Sequence, residues 1–343
     1  MKKMILALPM VALLAACGGS GGSGANDIKI VGSSTVYPFT TAVAEQFMKD
    51  NAGTRVVVES TGTGAGAKLF CAGVGDKFPD MLDASRQLKA SEYADCVKAG
   101  AKTIIEVPVG IDGLTFIEGK DNAGLNLTVT DIYKALAANP FGKGPNTAKT
   151  WKDVNPALPA TPIKVMGPPT TSGTRDSLAD LILTKGCESD TAMKDLKKAD
   201  EKKAKEICTG IRTDGVYVEA GENDNLLVQK VSQEPGTLGV LGFSYLDENA
   251  DKVKAVSLAG VQPTEETIAN LSYPGSRKLY VYLKGEHMAA KPAMKKFIEA
   301  YAKAWSKGGP LEAKGLVPFG GADAAAAAAQ ATALKPLDPS TLK

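Results

Sequence analysis

Short apolar strands alternate with amphipathic helices along the first third of this 343-residue chain. Ile28–Val31, Arg55–Glu59 and Lys102–Val107 are rich in β-branched residues. Between them, Thr40–Asp50 places Val43, Phe47 and Met48 on one helical face, and a second helix begins at Ser91 and ends at Gly100. This alternation predicts an α/β fold with mostly parallel sheets flanked by helices, and such sheets bind ligands at the carboxyl ends of their strands.

The chain is longer than the chains that usually fold around one hydrophobic core, which predicts two lobes. Val109–Ile117 is β-rich and contains glycines, so it is a candidate crossing between lobes. Lys278–Leu283 is a strong late strand and a candidate return crossing. We therefore expect residues 27–109 and 275–343 to form lobe I and residues 110–274 to form lobe II.

Three segments with similar chemistry lie at strand-to-helix transitions. They are Gly32–Pro38, the glycine-rich loop Gly62–Gly66, and Thr170–Arg175, which contains Thr171-Ser172-Gly173-Thr174. Hydroxyl groups, glycines and free N–H groups at a helix start favour an anion, although an ordinary Ser or Thr N-cap gives the same pattern. The spacing G-x-G-x-G in the second segment differs from the dinucleotide fingerprint G-x-G-x-x-G.

The donors in these segments are mostly neutral hydroxyls and backbone amides, which suit a small tetrahedral oxyanion. A charged donor would strengthen the set, because charge-assisted hydrogen bonds are roughly twice as strong as neutral ones. Arg86 and Arg175 are the candidates, with a surface arginine as the alternative for each.

Residues 1–16 have the pattern of a secretory signal peptide: a lysine-containing start, a short apolar run and small residues at the end. Leu14-Ala15-Ala16-Cys17 resembles a bacterial lipobox, in which the cysteine is acylated. Residues 17–26 form a Gly/Ser tether. We expect an exported, extracytoplasmic protein that is anchored to a bacterial membrane through lipid on Cys17.

Four further cysteines are an even number in an oxidising compartment, which predicts two disulfides. Three pairings are open, and the local pairs Cys71–Cys96 and Cys187–Cys208 are favoured. The second pair would staple a lysine-rich insert, Glu188–Ile207, that has the pattern of a solvated helical hairpin.

Composition excludes several classes of function. Forty basic and 38 acidic residues nearly balance, and no basic patch is interleaved with aromatics, so no nucleic-acid partner is expected. No cluster has the spacing of metal ligands, and we predict neither a metal nor a cofactor. A hydrolase using Ser34 or Ser172 would need a base, but the one histidine is His287 and no G-x-S-x-G motif is present. We therefore expect no enzyme activity.

The chain resembles the periplasmic phosphate-binding proteins of Pst-type ABC importers from about Ile28 to Phe319. The resemblance rests on five short motifs: Gly-Ser-Ser-Thr-Val-Tyr-Pro (32–38), Gly-Thr-Gly-Ala-Gly-Ala-Lys (62–68), Asp-Ala-Ser-Arg (83–86), Thr-Ser-Gly-Thr (171–174) and Glu-Asn-Asp-Asn (222–225). It implies a two-lobed class II clamshell, inorganic phosphate in the cleft and delivery to permease subunits. It also implies that phosphate contacts Ser34, Thr35, Val36, Thr63, Ser172, Gly173 and Thr174.

Two positions depart from the better-known members of that family. Arg86 replaces an aspartate that accepts a hydrogen bond from protonated phosphate, and Pro168 replaces an arginine. Our hypothesis is that Arg86 supplies the guanidinium, that Arg175 adds a second cationic contact, and that Asp224 or, second, Glu222 is the acceptor. Another oxyanion, such as sulfate, molybdate or a phosphonate, stays an alternative ligand. We expect a monomer.

Overall fold

The structure, a computed structural model, describes residues 26–170, 172–221 and 223–342. The predicted signal peptide (1–16), Cys17 and nearly all of the tether therefore lie outside the described residues, as do Thr171 and Glu222. Within the described part of the chain, no helix has the length and apolar character needed to cross a bilayer.

Eleven strands are formed by the described residues. They are β1 (Asp27–Gly32), β2 (Arg55–Ser60), β3 (Met81–Ala84), β4 (Ile104–Gly119), β5 (Asn126–Leu127), β6 (Val165–Gly167), β7 (Tyr217–Glu219), β8 (Leu238–Gly242), β9 (Val253–Ala255), β10 (Ser257–Leu258) and β11 (Ser276–Lys284).

The helices are α1 (Tyr37–Asp50), α2 (Thr63–Phe70), α3 (Ala90–Lys98), α4 (Val129–Leu136), α5 (Trp151–Val154), α6 (Gly173–Ser177), α7 (Thr184–Cys187), α8 (Thr191–Ala199), α9 (Glu201–Thr209), α10 (Asp224–Gln233), α11 (Phe243–Glu248), α12 (Glu265–Ala269), α13 (Gly285–Met288), α14 (Ala293–Ala304) and α15 (Gly321–Ala333). A π-helical stretch, Leu178–Leu183, joins α6 to α7. Short 3₁₀ turns lie at Pro140–Gly142, Glu312–Lys314 and Pro339–Thr341.

One mixed sheet organises the molecule, with strand order β2-β1-β3-β11-β4-β8-β6-β7 and β9 paired to β4. β1 is parallel to β2 and β3 in one half, and β6 is parallel to β7 and β8 in the other. The central pairs, β3–β11, β11–β4 and β4–β8, are antiparallel. Each half therefore has parallel strands whose carboxyl ends can present loops, as the α/β pattern predicts.

Strands β4 and β11 lie between the two halves, since β11 pairs with β3 and β4 pairs with β8. They pair with each other from Ile104↔Lys284 to Gly113↔Ser276. The two predicted segments 102–107 and 109–117 are one strand that runs through Pro108. Proline has no N–H for the ladder, and the pairing shifts register opposite it, between Leu279 and Tyr280. The predicted lobe boundaries fall inside β4 and just before β11, and they stay a prediction.

Helix α1 shows how the sequence specifies these elements. Pro38 lies in its first turn, where the missing N–H costs nothing. Phe39, Val43 and Phe47 recur every four residues and are buried, so they form one apolar face. Phe47 meets Phe297 of α14 edge to face, with ring centroids 5.4 Å apart. This face attaches the helix to the core beside β2 and α14.

Both predicted disulfides are present. Cys71–Cys96 joins the end of α2 to α3, and Cys187–Cys208 joins the end of α7 to α9. The second bridge closes the base of a helical hairpin, α8–α9, which confirms the helical interpretation of the insert.

Candidate functional site

The loops after β1, β2 and β3 meet at one edge of the sheet. The Ser33 N–H donates to the Asp83 carbonyl at 2.8 Å, and the Thr61 N–H donates to the Gly32 carbonyl at 2.9 Å. A Cβ on Gly66 would lie 2.5 Å from the Cα of Gly32, so only glycine lets α2 pack this closely on the end of β1. These contacts bring the first two predicted loops together.

The glycine-rich segment Gly62–Gly66 was predicted as a loop, but most of it is helical. Thr63 is already the first residue of α2, and Gly64 and Gly66 lie in its first two turns. The glycine pattern reflects close helix packing at Gly66 rather than an extended loop. Thr63 accepts the Ser85 N–H at 3.1 Å, and its hydroxyl lies 3.0 Å from the Ser85 hydroxyl. Thr63 is thereby fixed beside the Asp83–Arg86 segment.

The third segment forms the turn before α6. Ser172 caps this helix and accepts the Thr174 N–H at 3.2 Å. The ordinary N-cap interpretation is therefore correct for Ser172. Gly173 and Thr174 are the first two residues of the helix.

The first and third segments touch each other, although 138 residues separate them in the chain. The Thr35 hydroxyl donates to the Gly173 carbonyl at 3.0 Å, and the Ser34 hydroxyl donates to the Asp176 carboxylate. A Cβ on Gly173 would lie 2.4 Å from the Ser34 carbonyl oxygen, so glycine is required for this approach. Val36 is buried behind the contact, and its N–H points at the Ser33 hydroxyl at 3.4 Å.

Arg277 of β11 lies behind this contact and donates four hydrogen bonds. Nη2 donates to the hydroxyls of Thr35 (2.9 Å) and Ser177 (2.8 Å), Nε to Asp112 (3.1 Å), and Nη1 to Asp180 (3.1 Å). Its side chain is 9% exposed. The Ser177 hydroxyl donates in turn to Asp112 at 2.7 Å. A guanidinium is thus present beside the loops, but it comes from a strand that the sequence interpretation did not associate with the site.

Arg86 lies near the Thr63 end of the site. Its guanidinium makes a two-pronged contact with the Glu92 carboxylate at 2.8 and 2.9 Å. The hydrogen bond to Glu92 raises the pKa of Arg86 above its ordinary value. Burial raises the pKa of Glu92, but the hydrogen bonds from Arg86 and the Lys89 N–H outweigh it, and that pKa lies below its usual range. The predicted cation is therefore present together with its own counter-charge.

The two secondary candidates, Arg175 and Asp224, contact other groups. Arg175 stacks 4.5 Å over the Tyr217 ring, donates to the Pro168 carbonyl at 3.1 Å and lies 3.6 Å from Glu219. Asp224 is the first residue of α10, and burial raises its pKa to about 6. Within the described residues, neither side chain is joined by a hydrogen bond to Ser34, Thr35 or Ser172.

The carboxyl group of Asp83 is also buried beneath the loops. Asp83 is 1% exposed and accepts a hydrogen bond from the Thr40 hydroxyl at 3.0 Å. Burial raises the pKa of this carboxyl to about 8 despite that bond. Asp83 is therefore largely protonated at neutral pH.

The sequence interpretation missed five polar residues of this region. They are Ser85, Asp112, Asp176, Ser177 and Arg277. Asp176 and Ser177 follow the third segment directly, so the helical spacing after Ser172 could have found them. For Asp112 and Arg277 the signal exists only in the pairing of β4 with β11.

Comparison with known proteins gives consistent results. A family model described as "PBP superfamily domain" matches residues 19–302. Protein SphX of Synechococcus elongatus is 34% identical over 276 residues, which are 79% of this chain and 71% of that protein. The phosphate-binding protein PstS of Staphylococcus saprophyticus is 30% identical over 314 residues, covering 89% and 85% of the two chains.

Solved structures with the same fold are also similar. The crystal structure of a possible phosphate binding protein from Planctomyces limnophilus superimposes with a TM-score of 0.72 and 30% identity, covering 91% of this chain and 99% of that one. An ABC-type phosphate transport receptor from Vibrio cholerae gives a TM-score of 0.59 at 22% identity, with 85% and 100% covered. At that identity the second match supports the two-lobed fold alone.

Proposed function

Because this chain belongs to the PBP superfamily and, within it, to the family of Pst-type phosphate-binding proteins, we propose that it captures inorganic phosphate between its two lobes for an ABC importer. The observation that carries the proposal is the contact of Ser34 and Thr35 with the Gly173 turn. The hydroxyl-bearing loop after β1 meets the first turn of α6 there, and we propose that the hydroxyl and N–H groups of these two segments enclose a small oxyanion. The lobes are proposed to be 27–109 with 275–343, and 110–274.

The proposed phosphate ligands are Ser34, Thr35, Val36, Thr63, Ser172, Gly173 and Thr174, with Arg86 as the cationic contact. Arg175 and Asp224 are secondary candidates. Arg86 would approach phosphate as half of an ion pair with Glu92, so its electrostatic contribution is smaller than that of a free guanidinium.

The position of the Asp176 carboxylate favours phosphate over sulfate as the ligand. Its carboxylate accepts a hydrogen bond from Ser34 at the centre of the loop contact. A carboxylate there can accept a hydrogen bond from a proton-bearing phosphate oxygen, whereas it repels sulfate, which carries no proton at neutral pH. It also fills the acceptor role left open by Arg86 at the family's usual aspartate position.

The test is calorimetric titration with phosphate, arsenate and sulfate between pH 5 and 8, on the wild type and on Asp176→Asn. We expect the wild type to bind phosphate and arsenate in the presence of excess sulfate. The substituted amide carries no negative charge with which to repel sulfate, so this variant should lose at least about tenfold in the ratio of phosphate to sulfate affinity. Sulfate binding equal to phosphate in the wild type would contradict the proposal.

The family is one of substrate-binding proteins, and we propose that this member has no catalytic activity. The His287 ring accepts the Gly75 N–H at Nε2 (2.8 Å) and meets Asp80 at Nδ1 (2.7 Å). Both ring nitrogens are occupied, so His287 offers no free nitrogen to activate Ser34 or Ser172. Turnover of a chromogenic phosphate ester by the purified protein would refute this.

We also propose that the protein is exported, lipid-anchored through Cys17 and monomeric. The support for the anchor is the Leu14–Cys17 motif. A Cys17→Ser variant should move from the membrane fraction to the soluble fraction, and mass spectrometry of the wild type should detect acyl groups on Cys17.

A further inference from the structure

We propose that Arg277 is a positioning residue that fastens the closed form of the site from the pair of strands joining the two lobes. The part of this inference that concerns phosphate binding rests on the proposed function. Arg277 corresponds to none of the residues that the family resemblance assigns to phosphate.

The position of Arg277 in the sheet is central. It lies directly opposite Asp112 in the β4–β11 ladder, and its Nε donates to that carboxylate. Both side chains are largely buried, at 9% and 16% exposure. The pair is therefore held by the strands themselves and stays in place whichever way the lobes move.

The remaining donors of Arg277 reach both lobes. Toward one lobe, Nη2 bonds Thr35 in the loop after β1 at 2.9 Å. Toward the other, Nη2 bonds Ser177 at 2.8 Å and Nη1 bonds Asp180 at 3.1 Å, both in the helix after β6. The planar fork of a guanidinium supports this many-sided arrangement, which a lysine ammonium does not reproduce.

Arg277 also sets the direction of two hydroxyl protons. Because Nη2 donates into the Thr35 oxygen, the Thr35 proton points away from Arg277, and it reaches the Gly173 carbonyl at 3.0 Å. In the same way, the Ser177 proton is directed to Asp112. Arg277 therefore holds Thr35, a proposed phosphate ligand, in position, and the one hydroxyl proton of Thr35 must turn from the Gly173 carbonyl to donate to phosphate.

Separation of the lobes must break the Thr35 bond or the bonds to Ser177 and Asp180. Arg277 therefore raises the population of the closed form before any ligand arrives. Apparent affinity is the intrinsic affinity scaled by the fraction of competent protein, so loss of Arg277 weakens binding without removing a ligand contact.

The experiment compares Arg277→Met with Lys278→Met as the matched control. Lys278 is the next residue of β11, and its ammonium pairs with Asp323 at 3.0 Å, away from the site. Arg277→Met should weaken phosphate binding by at least about tenfold in calorimetry, from the loss of charge-assisted bonds. It should also enlarge the ligand-free radius of gyration in small-angle X-ray scattering. Lys278→Met should change neither.

Asp180→Asn is the second variant, because Arg277→Met leaves Asp112 without its cation and can impair folding. Asp180 is 51% exposed, so we expect its replacement to leave folding intact. Loss of this one partner of Arg277 should weaken phosphate binding by about threefold and should also enlarge the ligand-free radius of gyration. Unchanged affinity and unchanged radius of gyration in the folded variants would overturn the inference. A wild type that binds no phosphate would instead refute the proposed function, and the ligand-free scattering would still decide the role of Arg277.

Discussion

Single atoms decide how closely the two halves of the site approach, and Gly173 is the clearest case. A Cβ there would meet the Ser34 carbonyl at 2.4 Å, and backbone atoms cannot rotate away as a side chain can. Gly173→Ala should therefore separate the loops and weaken phosphate binding by at least about tenfold. The measurement is a calorimetric titration.

Gly320→Ala is the control for this substitution. Gly320 has φ of −100°, and an added methyl group would have no described atom within 4 Å, so alanine fits there without strain. Equal affinities of the two variants and the wild type would show that the close approach at Gly173 is unimportant for binding.

Asp83 gives the folding stability a specific pH dependence. Its pKa is raised by burial from 3.8 to about 8 in the folded state. Between these values the folded protein holds a proton that the unfolded chain has released, so the contribution of Asp83 to stability falls as pH rises. Asp83→Asn cannot titrate, and the stability difference between wild type and variant should therefore shift against the wild type from pH 4 to pH 8.

Denaturant melts of both proteins across that range test the prediction. The Asp80 carboxylate works in the opposite direction: burial raises its pKa, but bonds from His287, the Lys29 N–H and Lys291 lower it below 3.8 overall. The comparison with Asp83→Asn cancels this contribution, since both proteins contain Asp80. Parallel stability curves would show that Asp83 ionises normally.

At the scale of elements, the two disulfides close loops of similar size, with sequence separations of 21 and 25 residues. In the chain-entropy account each should stabilise the fold by about 3 kcal/mol. Replacement of both cysteines of either pair by serine should lower the free energy of unfolding by that amount. Chemical denaturation of Cys187→Ser/Cys208→Ser and of Cys71→Ser/Cys96→Ser measures it, and a loss below about 1 kcal/mol would contradict the account.

The elements also show what could be predicted from sequence. Local signals placed α1, β2 and β11 within a few residues, because amphipathic spacing and β-branched runs are properties of one segment. The same signals split β4 at Pro108, since proline normally ends a central strand and the compensating bulge lies far along the chain in β11. Gly62–Gly66 was predicted as a loop because its glycines are typical of loops. The glycine at position 66 is instead explained by its packing on Gly32, a tertiary contact that the sequence does not show.

The candidate site divides in the same way. Ser34, Thr35 and Gly173 could be proposed because they belong to short motifs at strand ends, and the structure places them in contact. Arg277 and Asp112 could not, because their relation is a register between strands that are distant in sequence. No property of Gly-Ser-Arg-Lys at 275–278 distinguishes that arginine from a surface residue.

For the whole molecule, contacts between the two halves differ in strength with burial. Lys89 before α3 pairs with Glu201 of α9 at 2.7 Å, but these side chains are 44% and 63% exposed. Exposed pairs of this kind contribute at most about 1 kcal/mol. Glu201→Gln should therefore change phosphate affinity by less than about fivefold, and the effect should vanish in high salt. A larger, salt-independent loss would place the hairpin in the binding mechanism.

The pairing of β4 with β11 has a mechanical consequence. Two adjacent hydrogen-bonded strands resist sliding along each other, and we expect them to bend most easily where Pro108 removes a ladder N–H and the register shifts. We therefore expect the proposed lobes to move relative to each other mainly by a change of one angle at this ribbon. If they do, the donors of one lobe reach a ligand together as a set.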